Sequence, residues 1–183
     1  MGINDNMLNF IQELKDKKLI QQIPSEFAEF MGIVQNLKPI TILEIGVAKG
    51  GTSQCFSKVC ENLVSICISD YIPLANQTYF RRNSHDPATL GKMTRALKGK
   101  VVDVLFIDGD HCYDGVKKDY ELYGPLVRSG GLIAFHDIVK SKWHESRNNG
   151  VPKLWDELKK SNSIEICHDE NKKECGIGVL IQD

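Results

Sequence analysis

No run in this chain approaches the roughly 18 apolar residues needed to cross a bilayer, so no transmembrane helix is expected. Neither sign of charge is in excess. The 23 basic and 24 acidic residues leave a net charge of −1, which removes the electrostatic case for nucleic acid or an anionic membrane as partner. The six cysteines form no Cys-x-x-Cys pair and mostly fall in predicted helices and strands, where they act as small hydrophobes. They read as reduced thiols of a cytoplasmic protein. The opening MGINDNML has neither the basic nor the apolar region of a secretory leader, and Asn6 stands where myristoylation needs Ser or Thr. Repeats, low-complexity tracts and linkers are also missing. The 183 residues are therefore expected to form one domain, large enough to bury roughly 70% of its unfolded surface, with a helical segment over 1–38 and a core over 39–183.

What is present centres on Val101 to Asp137. Val101–Ile107, broken only by Asp103, and Leu132–Phe135 are apolar runs, as parallel strands covered on both faces are. Between them Val116, Tyr120, Tyr123 and Val127 recur at helical spacing, while Lys117, Lys118, Asp119 and Glu121 lie off that face. The pattern is β-α-β. If the two strands are neighbours, their carboxyl ends stand about 5 Å apart, and Asp108, Asp110, His111, His136 and Asp137 open into one crevice. Each acid taken alone reads equally well as the cap of a helix or turn.

Upstream, Asn4 or Asp5 caps a first helix with Met7, Leu8, Ile11 and Leu14 in a stripe, and Pro24 opens a second with Phe27, Phe30, Met31 and Val34 on one face. Both are read as cover for the sheet. A lid over the ligand or a contact within a homo-oligomer are the alternatives. Ile40–Ile45 is then a strand, Gly46–Gly51 a glycine-rich turn and Thr52–Cys60 a helix whose free N–H groups face the turn. The Gly-x-x-x-Gly-Gly spacing is neither the dinucleotide fingerprint nor a phosphate-binding loop. Leu63–Ile68 ends at Ser69-Asp70, where a carboxylate can accept hydrogen bonds from both hydroxyls of a ribose. Thr78–Arg82 is a third strand, Asp86-Pro87 caps a helix to about Lys98, and a polar, basic loop follows Asp137. A helix from Val151 follows, and Ile164–Cys167 with Gly176–Ile181 form an antiparallel hairpin across the charged turn His168–Glu174.

From about residue 40 onward, ILEIGVAKGGTS (42–53), Asp70, RRNSHD (81–86), the whole stretch 103–138 and GVPKLW (150–155) together resemble the class I S-adenosylmethionine-dependent methyltransferases. The resemblance is closest to the macrocin-type sugar O-methyltransferases and the cephalosporin-hydroxylase-like group. It implies a Rossmann-like α/β sandwich with a seven-stranded, mostly parallel sheet whose last strand is antiparallel. It further implies that Glu44, Gly46, Ala48, Gly50 and Gly51, with Thr52 and Ser53, hold the amino-acid part of S-adenosylmethionine. Asp70, or Ser69 on a shifted alignment, would hold the ribose, and Asn83 with Ser84 the adenine. Asn83 stands where the family often has Asp. Asp108 is implied at the cofactor and, with His136 and Asp137, at Mg²⁺ or another divalent cation, the imidazole favouring Mn²⁺, Fe²⁺ or Zn²⁺. Asp110 takes the place of the family's base, with His111 and His136 as alternatives.

The activity so implied is methyl transfer to a hydroxyl of a small molecule, a sugar or natural-product-like acceptor. Two His and one carboxylate would also suit a metal-dependent hydroxylase. A non-catalytic cofactor-binding module is the third reading, because fold alone never proves turnover.

Overall fold

The computed structural model describes residues 5–168 and 175–183. Five parallel strands form in chain order: β1 (Thr41–Ile45), β2 (Asn62–Cys67), β3 (Gln77–Arg81), β4 (Val102–Ile107) and β5 (Val127–His136). Two more, β6 (Ile164–Ile166) and β7 (Ile177–Ile181), complete the sheet in the order β3-β2-β1-β4-β5-β7-β6. β7 is antiparallel to both of its neighbours, as expected of the last strand. Of the turn joining it to β6, residues 169–174 lie outside the described residues, as does Asn4.

Alternation along the strands feeds two cores. Ile42, Val104, Phe106, Leu132 and Ala134 point to one face, where α1 (Asp5–Asp16), α2 (Pro24–Leu37) and α3 (Gly51–Phe56) pack. Phe27, Phe30, Phe56 and Phe106 meet there with ring centroids 5.3–6.4 Å apart. Leu43, Leu105, Ile107, Ile133 and Phe135 face the other way, against α4 (Pro87–Leu97), α5 (Tyr113–Tyr123) and α7 (Val151–Leu158). Ile42, Leu43, Val104, Phe106, Leu132 and Ala134 are all buried. Among the described residues no helix is long and apolar enough to cross a membrane.

Expectations differ from the structure at three kinds of place. At strand ends Val101, Ile40 and Ile68 are exposed, so β4 begins at Val102, β1 begins at Thr41 and β2 ends at Cys67. The loop after Asp137 contains a short helix, α6 (Lys142–Ser146), capped by the Ser141 hydroxyl, which accepts from His144 N. The third concerns Asp119, expected on the solvent side of α5 but completely buried. It lies three residues after Val116 and four before Tyr123, and that spacing turns it into the core.

Register decides what meets at the carboxyl edge. Ile45 pairs with Ile107, and Ile107 with Phe135. Gly46, Asp108 and His136 therefore stand side by side on three adjacent strands.

Candidate active site

The glycine turn is built for close approach. Gly46 has φ +91°, and a Cβ there would lie 2.0 Å from the Asp108 carbonyl oxygen, so no other residue fits. Gly50 (φ +81°) meets the Tyr71 ring in the same way, and Gly51 packs on the Leu19 carbonyl. Gly46, Ala48 and Thr52 line a cavity of about 980 Å³ that opens along the strand ends, whereas Gly50 and Gly51 stand behind its wall.

Glu44 is also behind the wall. It is fully buried and accepts from the hydroxyls of Thr52, of Ser53 at 2.5 Å and of Ser65 at 2.8 Å. Ser53 is spent on that bond. Burial pushes the Glu44 carboxyl up to about 7 against the pull of these hydroxyls. The folded chain then holds a proton that the unfolded chain releases near 4.5, so this group's contribution to stability is lost as pH rises from about 4.5 through about 7. Urea midpoints measured at about pH 5 and about pH 8 should accordingly differ less for Glu44→Gln than for the unaltered chain.

Asp70, expected at the ribose, points away from the cavity. Its side chain is 81% exposed and pairs with Arg81 at 2.7 Å, off the cavity wall, while Ser69 lies on the wall. The strand ends at Cys67, and the chain turns outward before reaching the acid. Calorimetry should find the adenosyl ligand binding Asp70→Ala within a few-fold of the unaltered protein, since an exposed ion pair contributes little.

The polar groups at the ends of β4 and β5 converge. His111 Nε2 lies 3.3 Å from Asp108 Oδ1 and 3.1 Å from Asp137 Oδ2. His136 Nδ1 lies 3.3 Å from Asp108 Oδ1 and 3.1 Å from Asp137 Oδ1. Both acids are held below the ordinary carboxylate range, because the two imidazoles outweigh the effect of burial. His111 is pushed up to about 10 by its hydrogen bonds to Asp108 and Asp137. For His136 burial acts downward, yet Asp108 and Asp137 leave its pKa well above the usual value. Asp137 adopts φ +68°, a strained conformation for a residue with a side chain. Its N–H bonds the Gly176 carbonyl at 2.9 Å, and Asn149 Nδ2 donates to its Oδ2 at 3.4 Å.

Asp110 stands apart from this cluster. Its Oδ1 accepts from Cys112 N at 3.0 Å, the capping role weighed for each acid, and the side chain also lines the cavity.

Some wall residues carried no signal in the sequence. The end of α1 and its connection to α2 supply Lys15, Lys18, Leu19 and Gln22, and Gln22 Nε2 donates to Asp108 Oδ2 at 2.5 Å across 86 positions of sequence. The N-terminal helices thus do more than cover the sheet. Cys175 and His85 also reach the cavity. Behind His85, Asp119 Oδ1 is 3.2 Å from its Nε2. Burial pushes the Asp119 carboxyl up, against the opposing pull of the Ser84 hydroxyl and the His85 ring.

A family model described as a methyltransferase domain matches residues 43–138, more than half of the chain. The chain belongs to that family, within the class I S-adenosylmethionine-dependent methyltransferases. Among curated relatives, uncharacterized protein R132 of Acanthamoeba polyphaga mimivirus is 32% identical over 132 residues, covering 63% of this chain and 59% of that protein. Uncharacterized protein y4gI of Sinorhizobium fredii is 27% identical over 70% of this chain and 16% of its own length. The chain thus spans less than two thirds of either relative. A Staphylococcus aureus structure described as a caffeoyl-CoA O-methyltransferase shares the fold at TM-score 0.67 and 18% identity, covering 96% of this chain and 92% of that one. The MycE methyltransferase of the mycinamycin pathway, in complex with Mg, SAH and mycinamycin VI, aligns at TM-score 0.64 and 16% identity over 85% of this chain and 48% of its own.

Proposed function

We propose that this methyltransferase moves the methyl group of S-adenosylmethionine to a hydroxyl of a small molecule. The observation that carries the reading is one cavity running from the Gly46 turn to the cluster of Asp108, His111, His136 and Asp137. At about 980 Å³ it is at the upper end of the usual ligand-pocket range of roughly 300–1,000 Å³, which suits a donor and an acceptor held together. In support, the MycE complex, which shares this fold over 48% of its length, holds SAH and mycinamycin VI.

In this reading the backbone of Gly46 and Ala48, with Thr52, takes the amino-acid end of the cofactor. Ser69 takes the ribose, Asn83 and Ser84 the adenine, and Asp108 the inner side of the crevice. The sulfonium carries its own activation, so alignment and removal of one proton are what the protein must supply. A carbon–oxygen bond forms as the sulfur–methyl bond breaks, leaving the thioether. The hydroxyl proton passes to Asp110, which lines the wall apart from the ion pairs that join His111 and His136 to Asp108 and Asp137.

A divalent cation fits the neighbouring cluster. Ligand atoms around a cation at about 2.1 Å stand about 3 Å apart, close to the 3.1 and 3.3 Å separations of His111 Nε2 from Asp137 and Asp108. His136 Nε2 is buried without a hydrogen bond. Asp108, Asp137 and His111 would be the ligands, with His136 beside them, and the imidazoles favour Mn²⁺, Fe²⁺ or Zn²⁺ over Mg²⁺. When bound, the cation would polarise the acceptor hydroxyl.

The test is transfer of a labelled methyl group to a panel of catechols, sugars and macrolides, with and without chelator. Label in an ether product, lost in chelator and formed without oxygen uptake, is the expected result. Label on nitrogen would refute the hydroxyl acceptor, and oxygen uptake with Fe²⁺ but no transfer would favour a hydroxylase.

A further inference from the structure

We propose that His136, Asp137 and Cys175 form a second cation position on the cavity wall, one that takes a thiophilic divalent ion of the Zn²⁺ or Co²⁺ class through an imidazole, a carboxylate and a thiolate. It adjoins the set of Asp108, His111 and Asp137 and shares Asp137 with it.

The backbone brings the cysteine there. β5 and β7 run antiparallel with His136 opposite Ile177, so the residues just before β7 lie beside those just after β5. Asp137 N donates to the Gly176 carbonyl at 2.9 Å, and Val139 N to the Cys175 carbonyl at 3.1 Å. From the other side Glu26, buried on α2, accepts from Gly176 N at 3.1 Å through Oε2. Cys175 is therefore braced between α2 and the end of β5. It adopts φ +66°, close to the φ +68° of Asp137, and a residue with a side chain keeps that conformation only where its surroundings impose it.

One ligand atom from each of the three residues lies within 4.8 Å of the other two. Around a tetrahedral Zn²⁺ a sulfur stands about 3.6 Å from a nitrogen or oxygen ligand, so a movement of at most about 1 Å by the half-buried thiol closes the set. Burial of the imidazole is a second, independent observation. His136 is 5% exposed, its Nδ1 lies between Asp108 and Asp137, and its Nε2 is buried with no hydrogen-bond partner. A bound cation supplies the partner that this ring lacks. Asp137 can serve both positions, since its Oδ2 faces His111 and its Oδ1 faces His136.

Sulfur decides which ion is taken. Thiolate is a soft ligand that selects Zn²⁺ and Co²⁺ over Mg²⁺, whereas the set of Asp108, His111 and Asp137 offers only oxygen and nitrogen. Binding releases the thiol proton to solvent. All three residues line the cavity, and three protein ligands leave a fourth tetrahedral position for a hydroxyl or water, as catalytic zinc sites do.

Titration of the reduced protein with Co²⁺ in the absence of oxygen tests this by absorption spectroscopy. The unaltered chain should develop a saturable thiolate-to-cobalt charge-transfer band in the near ultraviolet, which Zn²⁺ abolishes and a large excess of Mg²⁺ does not. Cys175→Ser, which exchanges only sulfur for oxygen, should lose the band, because Co²⁺ held by Asp108 and His111 has no sulfur ligand. Cys67→Ser should keep it, although Cys67 also lines the cavity. If Cys175→Ser does not fold, alkylation of the unaltered protein by N-ethylmaleimide decides, with Zn²⁺ expected to protect Cys175 and not Cys67. No band, a band undiminished in Cys175→Ser, or alkylation of Cys175 unaffected by Zn²⁺ would overturn the proposal. S-adenosylhomocysteine binding to the same protein tests the methyl-transfer reading separately, so the two can fail independently.

Discussion

Asp110→Asn should lower turnover by roughly 10²–10⁴, the usual contribution of a positioned base, while S-adenosylhomocysteine binds as before. The expectation rests on where the protons are. His111 Nε2 is engaged by Asp108 and Asp137, and it would be a ligand when a cation is bound, so it is not free to accept one. His136 Nδ1 is held between the same two acids. Asp110 lines the cavity, and its Oδ1 accepts from Cys112 N at 3.0 Å. Although burial acts upward on it, Cys112, through its thiol and backbone N–H, draws its pKa below the ordinary carboxylate range. A base must be deprotonated to act, so any fall in activity due to Asp110 belongs at pH values below that range, and its removal should leave the profile near neutrality unchanged in shape. Single-turnover rates across pH, with cofactor saturating, separate this from a binding defect. Loss of cofactor affinity equal to the loss of rate would instead make Asp110 a structural cap.

Asp137→Asn should cost activity and divalent-cation affinity together, each by at least on the order of 100-fold, because even an outer partner of a metal ligand commonly contributes 10–100-fold. Asn is the informative replacement. Asp137 sits at φ +68°, a conformation that Asn tolerates, so the substitution removes charge without adding backbone strain. The loss reaches both imidazoles, since Asp137 bonds His111 through Oδ2 and His136 through Oδ1. Mn²⁺ titration followed by electron paramagnetic resonance gives the affinity directly. Full activity of Asp137→Asn in excess chelator would reduce the cluster to a buried network of ion pairs.

The central sheet was legible because parallel strands covered on both faces are apolar with little alternation, as Val104–Ile107 and Leu132–Phe135 are. The adjacency of Asp108 and His136 followed from one β-α-β unit. Side-chain direction beyond a strand end was not legible. Ser69 and Asp70 are neighbours in sequence, yet only Ser69 meets the cavity, and no periodicity operates in a loop to decide between them. Glu44 looked like a ligand contact because it precedes the glycine turn, but an inward position on a buried strand sent it beneath three hydroxyls. Asp119 was misjudged by its charge, although its helical spacing from Val116 and Tyr123 already placed it in the core. Gln22 could not have been found at all, since its bond to Asp108 depends on how α1 and α2 dock on the sheet.

The most direct test of the account is calorimetric titration of the purified chain with S-adenosylhomocysteine, NAD and ATP. A crevice built around Gly46, Ser69 and Asn83 should bind S-adenosylhomocysteine at one site with micromolar strength, about −8 kcal/mol, with NAD and ATP far weaker. No saturable heat with S-adenosylhomocysteine, or equal affinity for all three, would contradict it.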